Sequence, residues 1–172
     1  MREQTLRDFF IGAATVHQLA DDLKGSLIRR GRVTEHPIVD MSDEFHVTAH
    51  HLLKLCDAAL TGQIDLVYLQ AIGFCLQASN SFVWDSDEPG GDRVSEVTAD
   101  WSAPQINHPL TFDNVRKWRR YLETGEYTLS RGPANKAQQR RSVALRKRNH
   151  PLCPLHCITP MNALHGPTAS RT

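Results

Sequence analysis

After Glu126 the sequence contains no aspartate or glutamate. The remaining 46 residues carry eight lysines and arginines, so every ion pair they make must be with acids from residues 1–126 or from another molecule. All 19 acids of the chain lie in residues 1–126, against 12 basic residues there. The formal net charge of +1 therefore hides a split between an acidic body at −7 and a basic C-terminal tail at +8.

Other features are also missing. No apolar stretch approaches the length of a membrane-spanning helix, and the opening "MREQTLRDFF" has no apolar signal core, so the reading is a cytoplasmic protein with no membrane partner. There are only four cysteines, Cys56, Cys75, Cys153 and Cys157, and without a secretion signal they are expected to be free thiols. No run of alternating β-branched residues, no strand–glycine–helix unit and no internal repeat occurs. Gly-x-Ser-x-Gly and phosphate-loop motifs are absent as well, so the reading is not an enzyme and no cofactor is assigned.

What is present is helical periodicity. Leu6, Phe9, Phe10, Ala13, Val16, Ala20, Leu23 and Leu27 recur at steps of three and four, which predicts one helix over residues 5–29, weakened at Gly12. Pro37 breaks the aperiodic segment 31–47, where the sequence suggests a loop with a short extended piece at residues 37–39. Thr48 caps a second helix over residues 50–60, with Leu52, Leu53, Cys56, Ala59 and Leu60 inward. Asp65 caps a third over residues 66–81, apolar around more than half its circumference through Leu69, Ile72, Phe74, Cys75 and Leu76, and so read as central. A fourth starts near Gly91 with Val94, Val97 and Trp101 on one face. Thr111 caps a fifth over residues 112–123, with Val115, Trp118 and Leu122 inward and Gly125 at its end. The expected fold is all-α: a compact bundle of about five helices over residues 1–126, followed by a disordered basic tail over residues 127–172.

Four stretches are candidates for chemistry. In "WDSDEPGGDRVSEVTADW", Asp85, Asp87, Gly90 and Glu96 occupy positions 1, 3, 6 and 12 of a calcium-loop frame. Position 5 is Pro89, which offers no side-chain oxygen. Position 8 is Asp92, where such loops place an aliphatic residue, and no second loop exists to pair with it. The stretch is read as an acidic turn around Pro89, Gly90 and Gly91, with no metal. In "HPLCPLHC", His150, Cys153, His156 and Cys157 are soft ligands, but their spacing matches no common finger. "RRSVALRKR" clusters Arg140, Arg141, Arg146, Lys147 and Arg148, which attract phosphates through counterion release, although no aromatic residue follows Tyr127 to stack on bases. His46, His50 and His51 lie near Asp43 and Glu44; His46 and His50 are spaced to share a helix face, but the simpler reading is surface histidines at a helix start. Cys56 and Cys75 sit among leucines and read as core.

The stretches "HLLKLCDAALTGQID", "AIGFCLQASNSFVWD" and "VTADWSAPQINHPLTFDNVRKWRRYLETGE" resemble a family of small bacterial proteins without an assigned activity and, more loosely, the helical immunity proteins of bacterial toxin systems. The resemblance covers residues 1–126 and rests on helix pattern, acidic surface and size. It implies a protein-binding module that occludes a basic toxin. Asp85, Asp87, Glu88 and Asp92 would form the binding patch, with Trp84 and Trp101 as anchors. The basic tail departs from the resemblance. It supplies the alternative, a nucleic-acid-associated protein acting through Arg140, Arg141, Arg146, Lys147 and Arg148.

Overall fold

The structure, a computed structural model, describes residues 1–129 apart from Arg32 and Pro89. It is mostly helical with a few short strands: among the described residues there are six helices and four strands of two or three residues. The expectation of a purely all-α bundle of five helices is corrected on both counts.

The extra helix comes from the first predicted one, which is two. Helix α1 spans Glu3–Ile11 and α2 spans Val16–Leu23. Gly12 stands between them with φ at 81°, and its N–H closes the end of α1 on the carbonyls of Asp8 and Phe9. Thr15 then starts α2 with a reciprocal capping box: its hydroxyl accepts from the Gln18 N–H, and its own N–H donates to the Gln18 side chain. The period of three and four survives the break because Leu6, Phe10, Leu19 and Leu23 all face the core. Ala13, which the single-helix pattern placed inward, is exposed.

The segment without helical period forms extended structure. Strands β1 (Ile28–Arg30) and β2 (Val33–Glu35) make an antiparallel hairpin, with Ile28 opposite Glu35. Val39 bridges Arg2 in parallel, as the predicted extended piece required. Strand β3 (Phe45–His46) pairs in parallel with β4 (Phe82–Val83), with Phe45 opposite Phe82 and His46 opposite Val83.

Helix α3 spans Ala49–Leu60, α4 Tyr68–Ala78, α5 Gly91–Ser102 and α6 Phe112–Thr124. The predicted cap at Thr111 holds, whereas α4 starts at Tyr68 with Val67, not Asp65, at its cap position. The Asp65 carboxylate accepts from the Val67 N–H, and the Thr111 hydroxyl accepts from the Asn114 N–H. Helix α4 stops at Ala78, short of the predicted residue 81. There the Ser79 hydroxyl accepts from the backbone N–H groups of Ser81 and Phe82 and turns the chain into β4.

Helix α4 packs along α5, and α3 along α6. The predicted inward residues Val94, Val97, Trp101, Val115, Trp118 and Leu122 are all buried, as are Leu52, Cys56, Ala59, Leu69, Ile72, Cys75 and Leu76. Phe74 is the exception on α4. It is partly exposed and stacks on the His36 ring with centroids 4.5 Å apart. Trp101 and Trp118 meet edge to face at 6.2 Å in the core, an arrangement that adds about 0.5–1.5 kcal/mol beyond area burial. Gly73 lets α4 and α5 approach this closely: a Cβ built there would lie 2.6 Å from the Trp101 Cβ.

Candidate partner-binding surface

The β3–β4 pairing is parallel, so it places two acidic segments at opposite ends of one short ribbon. Asp40, Asp43 and Glu44 lead into β3, while Asp85, Asp87, Glu88 and Asp92 follow β4. In the observed register Glu44 and Asp85 are offset by four residues along the ribbon, roughly 13 Å at the rise of extended chain. Phe45 and Val47 donate their N–H groups to the Ser81 and Val83 carbonyls, and the Ser81 hydroxyl donates to the Met41 carbonyl, so the two segments are fixed to each other.

Most of the exposed carboxylates left without cationic partners lie in these segments, with Asp65 outside them. Asp57 and Glu123 pair with Arg119, Glu126 with Arg120, Asp113 with Lys117, Asp22 with Arg2, Asp21 with Lys24, Glu35 with Arg30 and Asp8 with Arg7. Among the described residues, Asp40, Asp43, Glu44, Asp85, Asp87, Glu88 and Asp92 make no ion pair and are all exposed. Most of the exposed acids without ion pairs thus lie in these two segments, an acidic band split between the two ends of the ribbon. At short range such a band attracts a cationic surface, and at long range it steers one, both weakening with salt.

The acidic turn has internal order. The Asp85 carboxylate accepts from the Asp87 N–H, and the Asp85 carbonyl accepts from the Glu88 N–H. The helix that follows begins at Gly91, with Gly90 as its cap at φ 109° and close to Ala49 of α3. A Cβ on Gly91 would fall 1.7 Å from the Asp85 carbonyl oxygen, so the turn closes only with glycine there. Glu96, position 12 of the calcium frame, sits beyond the first turn of α5. Its carboxylate accepts the Tyr121 hydroxyl from α6, so the frame's bidentate ligand is held in a helix–helix contact.

The two proposed anchors part company. Trp84 is half-buried beside the turn and packs against the core. Trp101 is fully buried, with its ring against Trp118 and its indole N–H enclosed without a partner. It presents nothing to a binding partner, and its assignment as an anchor is corrected. The reason is helical phase: Trp101 shares the inward face of Val94 and Val97, while Trp84 leaves a strand.

The histidines also separate. His46 lies on β3 and His50 on α3, so the spacing of four does not place them on one helix face. His51 is part of the structure of the helix start. Its Nδ1 accepts the Thr48 N–H at 3.1 Å, and its ring stacks on Phe10 at 4.9 Å. Burial, then the nearby positive charges of Lys54, His50 and His46, lower its pKa to about 4. A neutral His51 is what that cap requires, since a protonated Nδ1 cannot accept. Cys56 and Cys75 are free and fully buried, and burial pushes both thiols well above the usual range. Arg140, Arg141, Arg146, Lys147 and Arg148 lie outside the described residues, as do His150, Cys153, His156 and Cys157.

Two features were not found from sequence. Asp40 was not singled out, and Asp43 and Glu44 were read only as neighbours of histidines; the two-residue strands that join them to the 85–92 turn are too short to show a period. The other is Asp100, buried on α5, whose carboxylate accepts the Trp118 indole N–H at 3.0 Å and the Tyr127 hydroxyl at 2.9 Å. The available signal was an acid adjoining Trp101 and three residues after Val97 on a helix with a buried face.

The chain matches no family model, no curated protein and no solved structure in the comparisons made. Among the described residues no helix is long and apolar enough to cross a membrane.

Proposed function

We propose that the helical body is a non-enzymatic, protein-binding module that engages a basic partner through the acidic band, in the manner of a toxin-immunity protein. The observation that carries this reading is the set of exposed carboxylates without ion pairs at residues 40–44 and 85–92, on the two segments at either end of the β3–β4 ribbon. A basic toxin, cationic because its substrate is polyanionic, is the partner such a band fits, and occlusion of the toxin's anion-binding surface is the mechanism. Trp84 is the aromatic side chain placed to contribute at the edge of the band.

The test uses the full chain and a variant carrying Asp85→Asn, Asp87→Asn, Glu88→Gln and Asp92→Asn as baits in bacterial extract. Asparagine keeps the turn's local acceptor oxygen while removing charge. The supporting result is a basic protein retained by the native bait, released by salt and lost from the variant. Equal retention by both baits rejects the acidic band as the binding surface.

The second reading is nucleic-acid association through the basic residues Arg140, Arg141, Arg146, Lys147 and Arg148. It is favoured by the run of 46 residues without an acid. A gel shift with the full chain and a variant with these five residues changed to glutamine separates the two. A salt-sensitive shift lost in the variant supports nucleic-acid binding, and the absence of a shift in both removes it.

A further inference from the structure

One groove contains a polar side chain that the body leaves unused. Gln70 lies in the first turn of α4 and is only 5% exposed, yet its carboxamide makes no hydrogen bond with any described residue. Its amide atoms are not among the enclosed polar atoms without a partner, so the carboxamide tip faces the water of a groove. Gln70 lines an open groove of about 500 Å³ between the start of α4, the connector before α6 and strand β1, a volume within the roughly 300–1,000 Å³ of small-molecule sites.

The groove's other lining groups are complementary to one kind of ligand. Leu66, Val67 and Leu110 supply apolar wall. Arg29 is exposed and has no ion pair among the described residues, whereas its neighbour Arg30 is paired with Glu35. Asp65 gives one carboxylate oxygen to the Val67 N–H and keeps the other. One cation, one anion and one amide with both donor and acceptor therefore border an apolar surface.

We infer that this groove binds a small zwitterion with an apolar body, an α-amino acid or short peptide whose carboxylate meets Arg29, whose ammonium meets Asp65, whose polar backbone atoms meet Gln70 and whose side chain lies on Leu66, Val67 and Leu110. The site is independent of the acidic band.

Calorimetric titration of the full chain with four probes tests it: leucine, the dipeptide of two leucines, N-acetyl-leucine, which lacks the ammonium, and leucinamide, which lacks the carboxylate. Leucine or the dipeptide binds saturably, and the tighter of the two identifies the source. Both blocked probes bind at least about tenfold more weakly, the scale of one charge-assisted hydrogen bond. Arg29→Gln weakens the tighter zwitterion about tenfold and leaves leucinamide unchanged. Gln70→Leu weakens the zwitterion while its thermal midpoint stays equal to or above that of the native chain, because no hydrogen bond within the protein is lost. The inference is overturned if no probe binds at millimolar concentration, if all four bind equally, or if Gln70→Leu lowers the midpoint.

Discussion

Trp118 donates its indole N–H to the Asp100 carboxylate at 3.0 Å, and both residues are buried. The same carboxylate oxygen accepts the Tyr127 hydroxyl at 2.9 Å, and Tyr127 lies 3.2 Å from the His108 Nε2. Asp100 therefore joins α5 to α6 and to the chain that follows α6, where Leu129 is also buried. Removing the carboxylate as Asp100→Ala takes this acceptor from one buried donor, Trp118, and one half-buried donor, Tyr127. We expect a loss of about 2–4 kcal/mol in urea unfolding. A chain ending at Leu129 should likewise be measurably more stable than one ending at Glu126. Equal stability of the two would show that Tyr127 and Leu129 contribute no packing.

Gly73 is the point where α4 and α5 come closest. A Cβ there meets the Trp101 Cβ at 2.6 Å and the Ser102 backbone nitrogen at 2.7 Å, and backbone cannot rotate away as a side chain can. Gly73→Ala should cost about 1–3 kcal/mol by overpacking, despite alanine's higher helix propensity. At roughly 2–4 °C per kcal/mol the midpoint falls by several degrees. An unchanged or raised midpoint in a thermal melt argues against the close crossing.

His51 gives stability a pH dependence of definite sign. Its pKa is near 4 in the folded chain and close to the ordinary histidine value of about 6.5 when unfolded. The unfolded state then binds more protons between these values, so stability rises with pH across the window from about 4 to 6.5. The contribution is complete above that window and is lost as pH falls toward 4. Glutamine at the same helix position can accept the Thr48 N–H without titrating. Urea unfolding of His51→Gln at pH 4.5 and pH 7 should therefore show a smaller difference than the native chain. An unchanged difference would place the pH dependence elsewhere.

The acidic turn should not respond to micromolar calcium. Glu96 is committed to the Tyr121 hydroxyl, and Pro89 supplies no side-chain oxygen at the fifth position. Thermal melts with and without calcium should coincide at micromolar concentration. A stabilisation that disappears in Glu96→Gln would mean that α5 releases Glu96 to a metal.

Much of the body was legible in the sequence because its signals are local. A three-and-four period locates the inward faces of α3, α5 and α6, and a hydroxyl or carboxylate three residues before a helix interior marks a cap. Thr111, Val94, Val97 and Trp118 could be placed that way. The split at Gly12 was only half legible: the glycine marks a weak point, but an unbroken period on both sides gives the same pattern whether the chain turns or continues.

Tertiary structure alone decided the rest. Strands of two residues carry no alternation, so nothing in the sequence ties the segment of Asp43 and Glu44 to that of Asp85; the parallel pairing of Phe45 with Phe82 does that, with the two segments at opposite ends of the ribbon. Composition showed that residues 1–126 are acidic, but only side-chain geometry separated the acids neutralised by Arg119, Arg120 and Lys117 from those left exposed. Trp84 and Trp101 looked equivalent at the two ends of one stretch. One leaves a strand at the surface and the other continues a buried helical face, because exposure depends on which neighbours the fold brings to a residue, and those neighbours are distant in the chain.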